Sequence, residues 1–278
     1  MAVKFDEIGF WSEVKLEIIE KYARAYSQIL SHQSWAHHVY IDAFAGAGTH
    51  ISRTSHSFVP GSPQIALDIE PPFKEYFFID IDGEKVDELK RLVQNSSKRL
   101  STHILLGDCN VALLEQVFPK INKPNVRSLC ILDPYGLNLN WDVIETAGKM
   151  HSVEIFLNFP VMDMNRNVLL TDTSKVDPVN VARMDALWGD HSWSALAYHK
   201  TKDLFGETHD IKQDISHVTK GFRDRLINVA GFQHVPLPIP MRNSRRGLLY
   251  YLFFASNNET GGKILSDILV KYRNRGMN

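Results

Sequence analysis

The segment from Val39 to Gly48 is the feature that most restricts the fold. An apolar run at residues 39–41 passes directly into Asp42, and the sequence from Asp42 to Gly48 reads DAFAGAG. Glycine lets the backbone make a tight, partly left-handed turn and lets a ligand approach main-chain N–H groups closely. Open α/β folds build a nucleotide-type pocket in this way, at the carboxyl end of the first strand. The sequence therefore predicts a strand followed by a ligand-binding turn.

Strand-like and helix-like segments alternate around this turn. An amphipathic helix is predicted over Ser12–Leu30, before the first strand. Five strands follow one another along the chain, at Val39–Ile41, Tyr76–Ile81, His103–Leu106, Ser128–Leu132 and Val153–Phe159. Strands that alternate with helices indicate a mostly parallel sheet with helices on both faces. The predicted fold class is α/β, Rossmann-like.

The pattern changes after the fifth strand. Strand signals stop between about residues 160 and 230, where 179–187 and 210–229 have helical periodicity. We interpret 160–230 as a helical insertion within one domain that spans 1–278, because it has too few apolar residues for its own core. Two closing strands, Phe232–Ile239 and Leu248–Ala255, complete a predicted seven-stranded sheet. Residues 49–60 are interpreted as an irregular polar stretch.

Composition excludes several classes of protein. Lys plus Arg (31) nearly balances Asp plus Glu (32), so no overall positive field requires a polyanionic partner, although a local patch can still bind one. Cys109 and Cys130 cannot form a disulfide scaffold or a zinc site by themselves. The 12 histidines lack metal-ligand spacing, so no metal site is predicted.

Hydropathy argues against a membrane protein. The chain has no long apolar run of the length that spans a bilayer. Early charges at Lys4, Asp6 and Glu7 do not fit a signal peptide. We therefore expect a cytoplasmic protein.

Acidic residues stand where the predicted strands end. Asp42, Asp80, Asp108 and Asp133 follow strands one to four in order. The carboxyl ends of parallel strands share one edge of a sheet, which is where such folds bind ligands. A carboxylate after the second strand suits ribose hydroxyls, and one after the third suits the adenine amine. A lone acid here is more often a helix N-cap, as we expect of Asp82, but four in register favour a nucleoside site.

This arrangement resembles class I S-adenosylmethionine-dependent methyltransferases. The resemblance implies S-adenosyl-L-methionine as cofactor, bound by residues of the glycine turn and the next two strand ends: Asp42, Phe44, Gly46, Gly48, Asp80, Asp108 and Cys109. The 38 residues from Asp42 to Asp80 exceed the usual span because of the stretch at 49–60. An NAD site is the nearest rival, but it needs Gly-x-Gly-x-x-Gly, and Ile51 stands where the third glycine belongs.

The tetrapeptide Asp133-Pro134-Tyr135-Gly136 is similar to the Asp/Asn-Pro-Pro-Tyr motif of amino-group methyltransferases that act on bases. A base amine is a poor nucleophile, and a carboxylate that accepts from its N–H groups stabilises the positive charge that develops. Proline aims a main-chain carbonyl, and tyrosine can stack on the base. The resemblance implies catalytic roles for Asp133, Pro134 and Tyr135. An ordinary turn at the end of a strand is the alternative.

Over nearly its full length the chain most resembles the three-Cys-motif partner (TcmP) family. The matching residues include the helix from Trp11, the turn at 42–48, Gly61-Ser62-Pro63, Leu132 to Gly136 and the segment 157–166. That family has a methyltransferase-like fold and is named for a genetic neighbour that resembles radical-SAM enzymes. The resemblance therefore implies two functions: a methyltransferase acting on an exocyclic amine of a nucleic-acid base, or a non-catalytic partner subunit of such a neighbour.

Two further groups remain open. Asn158 and Arg166 either line the substrate side of the cleft or belong to a polar loop. The basic turn with Arg242, Arg245 and Arg246 either binds a phosphate backbone or is simply solvated.

Overall fold

The computed structural model describes residues 6–94, 96–202, 208–243 and 245–273. Its strands are β1 (Glu7–Ile8), β2 (His37–Asp42), β3 (Thr49–Ser52), β4 (Phe58–Pro60), β5 (Glu75–Asp80), β6 (Thr102–Leu106), β7 (Val126–Leu132), β8 (Val153–Phe159), β9 (Tyr198–Lys202), β10 (Thr208–Lys212), β11 (Ile239–Arg242) and β12 (Leu248–Ala255).

The α-helices are α1 (Phe10–Ser31), α2 (Ser62–Leu67), α3 (Gly83–Gln94), α4 (Cys109–Val111), α5 (Phe118–Ile121), α6 (Trp141–Met150), α7 (Val161–Asn167), α8 (Pro178–Trp188), α9 (Ser194–Ala197), α10 (Ile215–Asn228) and α11 (Glu259–Arg273). A π-helical segment, Ala112–Val117, joins α4 to α5. Within the described residues, no helix combines the length and the apolar character needed to cross a membrane.

Seven strands form the central sheet, in the order β11-β12-β8-β7-β2-β5-β6. All neighbouring pairs from β8 to β6 are parallel, and β12 runs antiparallel to both β8 and β11. The predicted mostly parallel, seven-stranded Rossmann-like sheet is therefore confirmed. An antiparallel strand at this end of the sheet is the feature expected of the class I methyltransferase fold.

Helices cover both faces of the sheet. Because the side chains of a strand alternate between the two faces, each strand contributes to both cores. Val39 and Ile41 of β2 belong to the core beneath α4, α5, α6, α8 and α10, whereas Tyr40 belongs to the core beneath α1, α2, α3 and α11. All three side chains are fully buried. This explains why the central strands read as nearly continuous apolar runs.

The stretch at 49–60 is not irregular, so that prediction was wrong. β3 and β4 form an antiparallel hairpin, and β1 pairs in parallel with β3 to make a three-stranded sheet. These strands are two to four residues long, too short to show an alternation, and one partner comes from the distant N-terminal segment. Local hydrophobic periodicity therefore carried no signal for them.

The segment 160–230 is mainly helical, as predicted, but it also contains the antiparallel hairpin β9–β10. Its exposed strands are rich in Lys, His and Thr, so the sequence has no apolar alternation there. The helix predicted over 210–229 is α10, which begins at Ile215. Asp214 is its N-cap and accepts from the Ser216 N–H at 2.8 Å.

The first closing strand was also placed wrongly. β11 begins at Ile239, and residues 232–238 contribute one isolated bridge, between His234 and Ser256. Pro236 and Pro238 lack the N–H that a strand ladder requires, which shortens the strand at this end. The second closing strand, β12, has the predicted boundaries.

Gly148 in α6 gives a stability test of the packing beneath the sheet. A Cβ at this position would lie 2.0 Å from the Ala230 carbonyl oxygen, which is backbone and cannot rotate away. We expect Gly148→Ala to lower the free energy of unfolding by about 2 kcal/mol in urea denaturation. Gly83→Ala is the control, because an added Cβ there meets nothing within 4 Å. Equal stabilities of the two variants would contradict this packing.

Candidate functional site

Two adjoining cavities lie at the carboxyl edge of the central sheet. The first, of about 700 Å³, contains Asp133 in its wall and is called the Asp133 cavity. The second, of about 730 Å³, contains Asp80 and is called the Asp80 cavity. Phe44, Tyr135, Asn138 and Arg183 line both, so the two spaces are neighbours around these side chains.

The Asp80 cavity brings together the acids that follow β5 and β6. Asp80 accepts hydrogen bonds from the Gly46 N–H (2.7 Å, to Oδ2) and from the Asp82 N–H (2.9 Å, to Oδ1). Each carboxylate oxygen can accept a second bond, so two further donors can be held. Asp108 and Cys109 line the same cavity. With Phe44, the structure thus groups four of the predicted cofactor residues around one space.

Asp108 precedes the first residue of α4, and its two carboxylate oxygens have different surroundings. Its Oδ1 accepts from the N–H groups of Asn110 (2.9 Å) and Val111 (3.3 Å), so it is an N-cap. No hydrogen bond from a described residue reaches its Oδ2, which leaves an acceptor on a side chain that lines the cavity. Cys109 beside it is buried, and burial raises the pKa of its thiol to about 12. The thiol is therefore neutral and serves as an apolar part of the wall.

The turn after β2 separates the two cavities. Gly46 has φ of +65°, which favours glycine, and an added Cβ would meet nothing within 4 Å. Since Gly46 also lines the Asp133 cavity, the missing side chain leaves open space for a ligand next to the main chain. The hydrogen bond from its N–H to Asp80 fixes the turn against the end of β5.

Gly48, also predicted to bind cofactor, lines neither cavity. Its φ is +80°, and an added Cβ would lie 2.6 Å from Leu92 Cδ2 of α3. Its carbonyl oxygen accepts from the Gly61 N–H at 2.8 Å. In this structure Gly48 allows the turn to pack closely on α3, and a cofactor contact stays a prediction.

Asp42 is fully buried at the end of β2. The Ser62 hydroxyl donates to its Oδ2, and the Phe44 N–H donates to its Oδ1 at 3.2 Å. Burial raises the pKa of Asp42 to about 7, against the effect of these two donors. Its carboxyl group therefore holds the base of the turn together.

Asp133 follows β7 and is held by two partners. The Lys15 ammonium of α1 forms an ion pair with Oδ2, and the Asn158 amide of β8 donates to Oδ1 at 2.8 Å. Burial lowers the pKa of Lys15, but the adjacent Asp133 carboxylate outweighs it and raises that pKa overall. Lys15 is thus a buried cation, and its ion pair holds the Asp133 side chain in the wall of the Asp133 cavity, which both residues line.

Tyr135 projects from the turn after Asp133, and 73% of its surface is exposed. Its hydroxyl donates to Asp6 Oδ2 at 2.8 Å. Lys85 binds the same carboxylate at 2.7 Å, and its ammonium lies 5.2 Å from the centre of the Tyr135 ring. Pro134 and Gly136 line the cavity on either side. The three predicted catalytic residues therefore border one space.

The insertion holds the far end of this turn. Asp163 of α7 accepts from the Leu137 N–H at 2.8 Å and from the Arg183 guanidinium of α8 at 3.0 Å. A Cβ at Gly136 would lie 2.4 Å from the same Asp163 oxygen, so glycine is what permits this approach. The insertion is therefore part of the site, since it positions the segment that carries Asp133.

The two predicted substrate residues also reach the Asp133 cavity. Arg166 of α7 is exposed and lines it. Asn158 lines it as well, and its Oδ1 is buried with no hydrogen-bond partner among the residues described. An orphaned acceptor in a cavity wall is costly unless a ligand or water donates to it.

Lys15, Asp163 and Arg183 were missed by the sequence analysis. Lys15 had a readable signal, because Ile18, Ile19 and Tyr22 repeat its helical face at three, four and seven residues. A lysine on the buried face of a helix needs a partner. Asp163 and Arg183 gave no such signal, since both lie in the polar insertion.

The donor and acceptor set fits an adenosine-type ligand. The Asp80 cavity supplies carboxylates for hydroxyl and amine donors, and the glycine turn supplies space close to the main chain. In the ranges that the structure describes, no group of three or more His, Cys, Asp or Glu side chains is placed to hold a metal ion.

Comparison with known proteins supports the fold. No protein-family model matches the sequence, and no curated protein matches it. Among solved structures, protein LPL1258 from Legionella pneumophila str. Philadelphia 1, described under the family model DUF519, aligns with a TM-score of 0.52 and 11% identity, over 94% of this chain and 93% of that one. The likeness shows a shared overall fold.

Two structures described as methyltransferases align less closely. The METTL16 MTase domain has a TM-score of 0.43 and 10% identity, over 88% of this chain and 69% of that one. The O-methyltransferase TomG from Streptomyces achromogenes, solved in complex with SAM, has a TM-score of 0.43 and 10% identity, over 93% of each chain.

The raised pKa of Asp42 gives a test by pH. The folded carboxyl titrates near 7 and the unfolded one near 3.8, so between these values only the folded chain keeps the proton and stability falls as the pH rises. Between roughly pH 5 and pH 8 this titration should lower the free energy of unfolding of the unmodified protein by about 3 kcal/mol. We expect Asp42→Asn to remove that decline. Urea denaturation of both proteins at each pH measures it. Parallel stability curves would show that Asp42 does not titrate in this range.

Proposed function

We propose that this chain is an S-adenosylmethionine-dependent methyltransferase that acts on an exocyclic amine of a nucleic-acid base. The observation that carries the proposal is the position of Asp133. Its carboxylate is held by Lys15 and Asn158 in a cavity that adjoins the glycine turn, and the acids after β5 and β6 line the neighbouring cavity. A methyl acceptor and a nucleoside cofactor thus have adjacent places.

The residues of the Asp80 cavity suit the cofactor. Asp80 would accept from the ribose hydroxyls, and the free Oδ2 of Asp108 would accept from the adenine amine. Phe44 borders both cavities, so it would lie beside the cofactor where they meet. When bound, S-adenosylmethionine supplies a methyl group on a cationic sulfur, which leaves as a neutral thioether.

Asp133 would activate the acceptor amine. The lone pair of a base amine is delocalised into the ring, and a carboxylate that accepts from its N–H draws the nitrogen out of the ring plane. As that nitrogen forms its new bond to carbon it gains positive charge, which the Asp133 carboxylate stabilises. The nitrogen then releases its proton to the carboxylate, and from there it reaches the water of the open cavity. Lys15 and Asn158 each occupy one lone pair, so both oxygens keep an acceptor position.

Tyr135 and Pro134 would position the base. The exposed ring of Tyr135 offers a surface on which a base can stack once it has left a helix. Asp6 accepts from the Tyr135 hydroxyl and Lys85 contacts the ring, so the side chain is restrained before a base binds. Asn158 Oδ1, which lacks a partner among described residues, would accept a second hydrogen from the substrate.

Calorimetric titration of Asp80→Asn tests the cofactor site. The change removes the charge and one acceptor position, so we expect the affinity for S-adenosylhomocysteine to fall about 10- to 100-fold. Asp82→Asn is the matched control, because Asp82 caps α3 through the Glu84 N–H and asparagine caps equally well. Equal affinities of the two variants would contradict the assignment of Asp80.

Asp133→Asn tests the chemistry separately from cofactor binding. We expect normal binding of S-adenosylhomocysteine, with at least about a 100-fold loss of methyl transfer from labelled S-adenosylmethionine to total RNA or DNA. Asp142→Asn, an exposed acid in the first turn of α6, is the control. Undiminished transfer by Asp133→Asn, or transfer to protein alone, would refute the proposal.

A non-catalytic role is the alternative, as a partner subunit of a radical-SAM-like protein. The ion pair with Lys15 favours it, because a carboxylate that is already neutralised needs no substrate to be stable. This alternative requires that the purified chain transfers no methyl group to RNA, DNA or protein even when it binds the cofactor.

A further inference from the structure

Positive side chains without carboxylate partners occur on three segments of the chain, of which α7 and the start of β12 border the Asp133 cavity. The chain as a whole is nearly neutral, and many surface cations pair with acids, for example Lys90 with Asp87 and Lys263 with Glu259. Six exposed side chains of α7, the hairpin β9–β10 and the end of β11 with its following turn have no such partner among the described residues, and we call them the basic rim: Arg166, Lys200, Lys202, Arg242, Arg245 and Arg246.

Half of the basic rim lies on the turn between β11 and β12. Arg242 pairs in register with Leu248, and the next residue, Leu249, lines the Asp133 cavity. Since β12 runs antiparallel to β8, this turn projects from the carboxyl edge of the sheet, where Asp133 lies. Arg242 donates to the Arg246 carbonyl oxygen at 3.1 Å, which fixes the shape of the turn.

The hairpin β9–β10 carries Lys200 and Lys202, two and four residues beyond Tyr198, which pairs with Lys212. Lys212 of β10 donates to Asn165 Oδ1 at 2.9 Å and to the Leu169 carbonyl oxygen, which fastens the hairpin to the end of α7. Arg166, in that helix, lines the Asp133 cavity. The basic rim therefore includes one residue of the cavity wall, Arg166, and a hairpin that is attached to the same helix.

Two of the described acids lie beside the basic rim. Asp210 pairs with Lys200 across the hairpin. Burial and the negative charge of Asp210 raise the pKa of Tyr198. Burial raises the pKa of Tyr251, and the charges of Asp214 and Arg242 act on it in opposite directions, so both side chains lie near Tyr251. Asp214 is engaged as the cap of α10.

We infer that the basic rim binds the sugar–phosphate backbone of a single-stranded nucleic acid whose base enters the Asp133 cavity. Arginine and lysine spread along one side of a pocket suit a chain of phosphates, which needs repeated positive contacts. A small free substrate would need none beyond the cavity. The inference rests on the proposed function and extends it, because it concerns how the nucleic-acid backbone is bound and not which base is methylated.

The test compares two double variants that remove equal charge. R245Q/R246N changes the rim, with asparagine chosen because it tolerates the φ of +63° at Arg246. K120Q/K123Q changes two exposed lysines that precede β7, at the opposite edge of the sheet. Fluorescence anisotropy with single-stranded RNA and DNA oligonucleotides of about 20 nucleotides measures affinity across salt concentrations.

We expect R245Q/R246N to weaken binding at least about tenfold at low salt and to reduce the slope of log K against log salt by about 1.4, for two phosphate contacts. K120Q/K123Q should bind like the unmodified protein. Equal binding by all three, or no binding by any, would overturn the inference. The proposed function has its own readout, because Asp133→Asn should abolish transfer yet still bind the oligonucleotides.

Discussion

The parallel register of three central strands determines where the site can be. Asp42, at the end of β2, pairs with Phe78 on one side and with Ile131 on the other. Asp80 and Asp133 each follow their register partner by two residues, so the three carboxylates must emerge at one edge. Hydrophobic packing on both faces of the sheet maintains that register, since a shift of one residue would turn every buried side chain to the wrong face.

Segments outside the sheet complete the site. Lys15 reaches Asp133 from the helix that precedes the first strand, and the insertion contributes Asp163 and Arg183 to the turn after Asp133. These charged groups are partly or fully buried, and each has a partner of opposite charge, as burial demands. The sheet therefore supplies the positions of the acids, whereas the flanking helices fix their orientation.

Most of the architecture could be predicted from the sequence, and parts of the site could not. Apolar runs and strand-end acids indicated the central sheet and grouped Asp80, Asp108 and Asp133 at one edge, as observed. The hairpin β3–β4 was missed because its strands are only three and four residues long, and β9–β10 was missed because its strands are polar and lack a hydrophobic period. Partners far apart in the chain, such as Lys15 and Asp133, were beyond local pattern reading, although the lysine on an apolar helix face was a signal.

A crystal structure of the chain with S-adenosylhomocysteine would show whether the two cavities hold a nucleoside cofactor in the proposed orientation. We expect the ribose hydroxyls within hydrogen-bond distance of the Asp80 carboxylate, the adenine amine at Asp108 and the sulfur directed towards Asp133. A ligand bound elsewhere, or a nucleoside that does not contact Asp80 and Asp108, would contradict it.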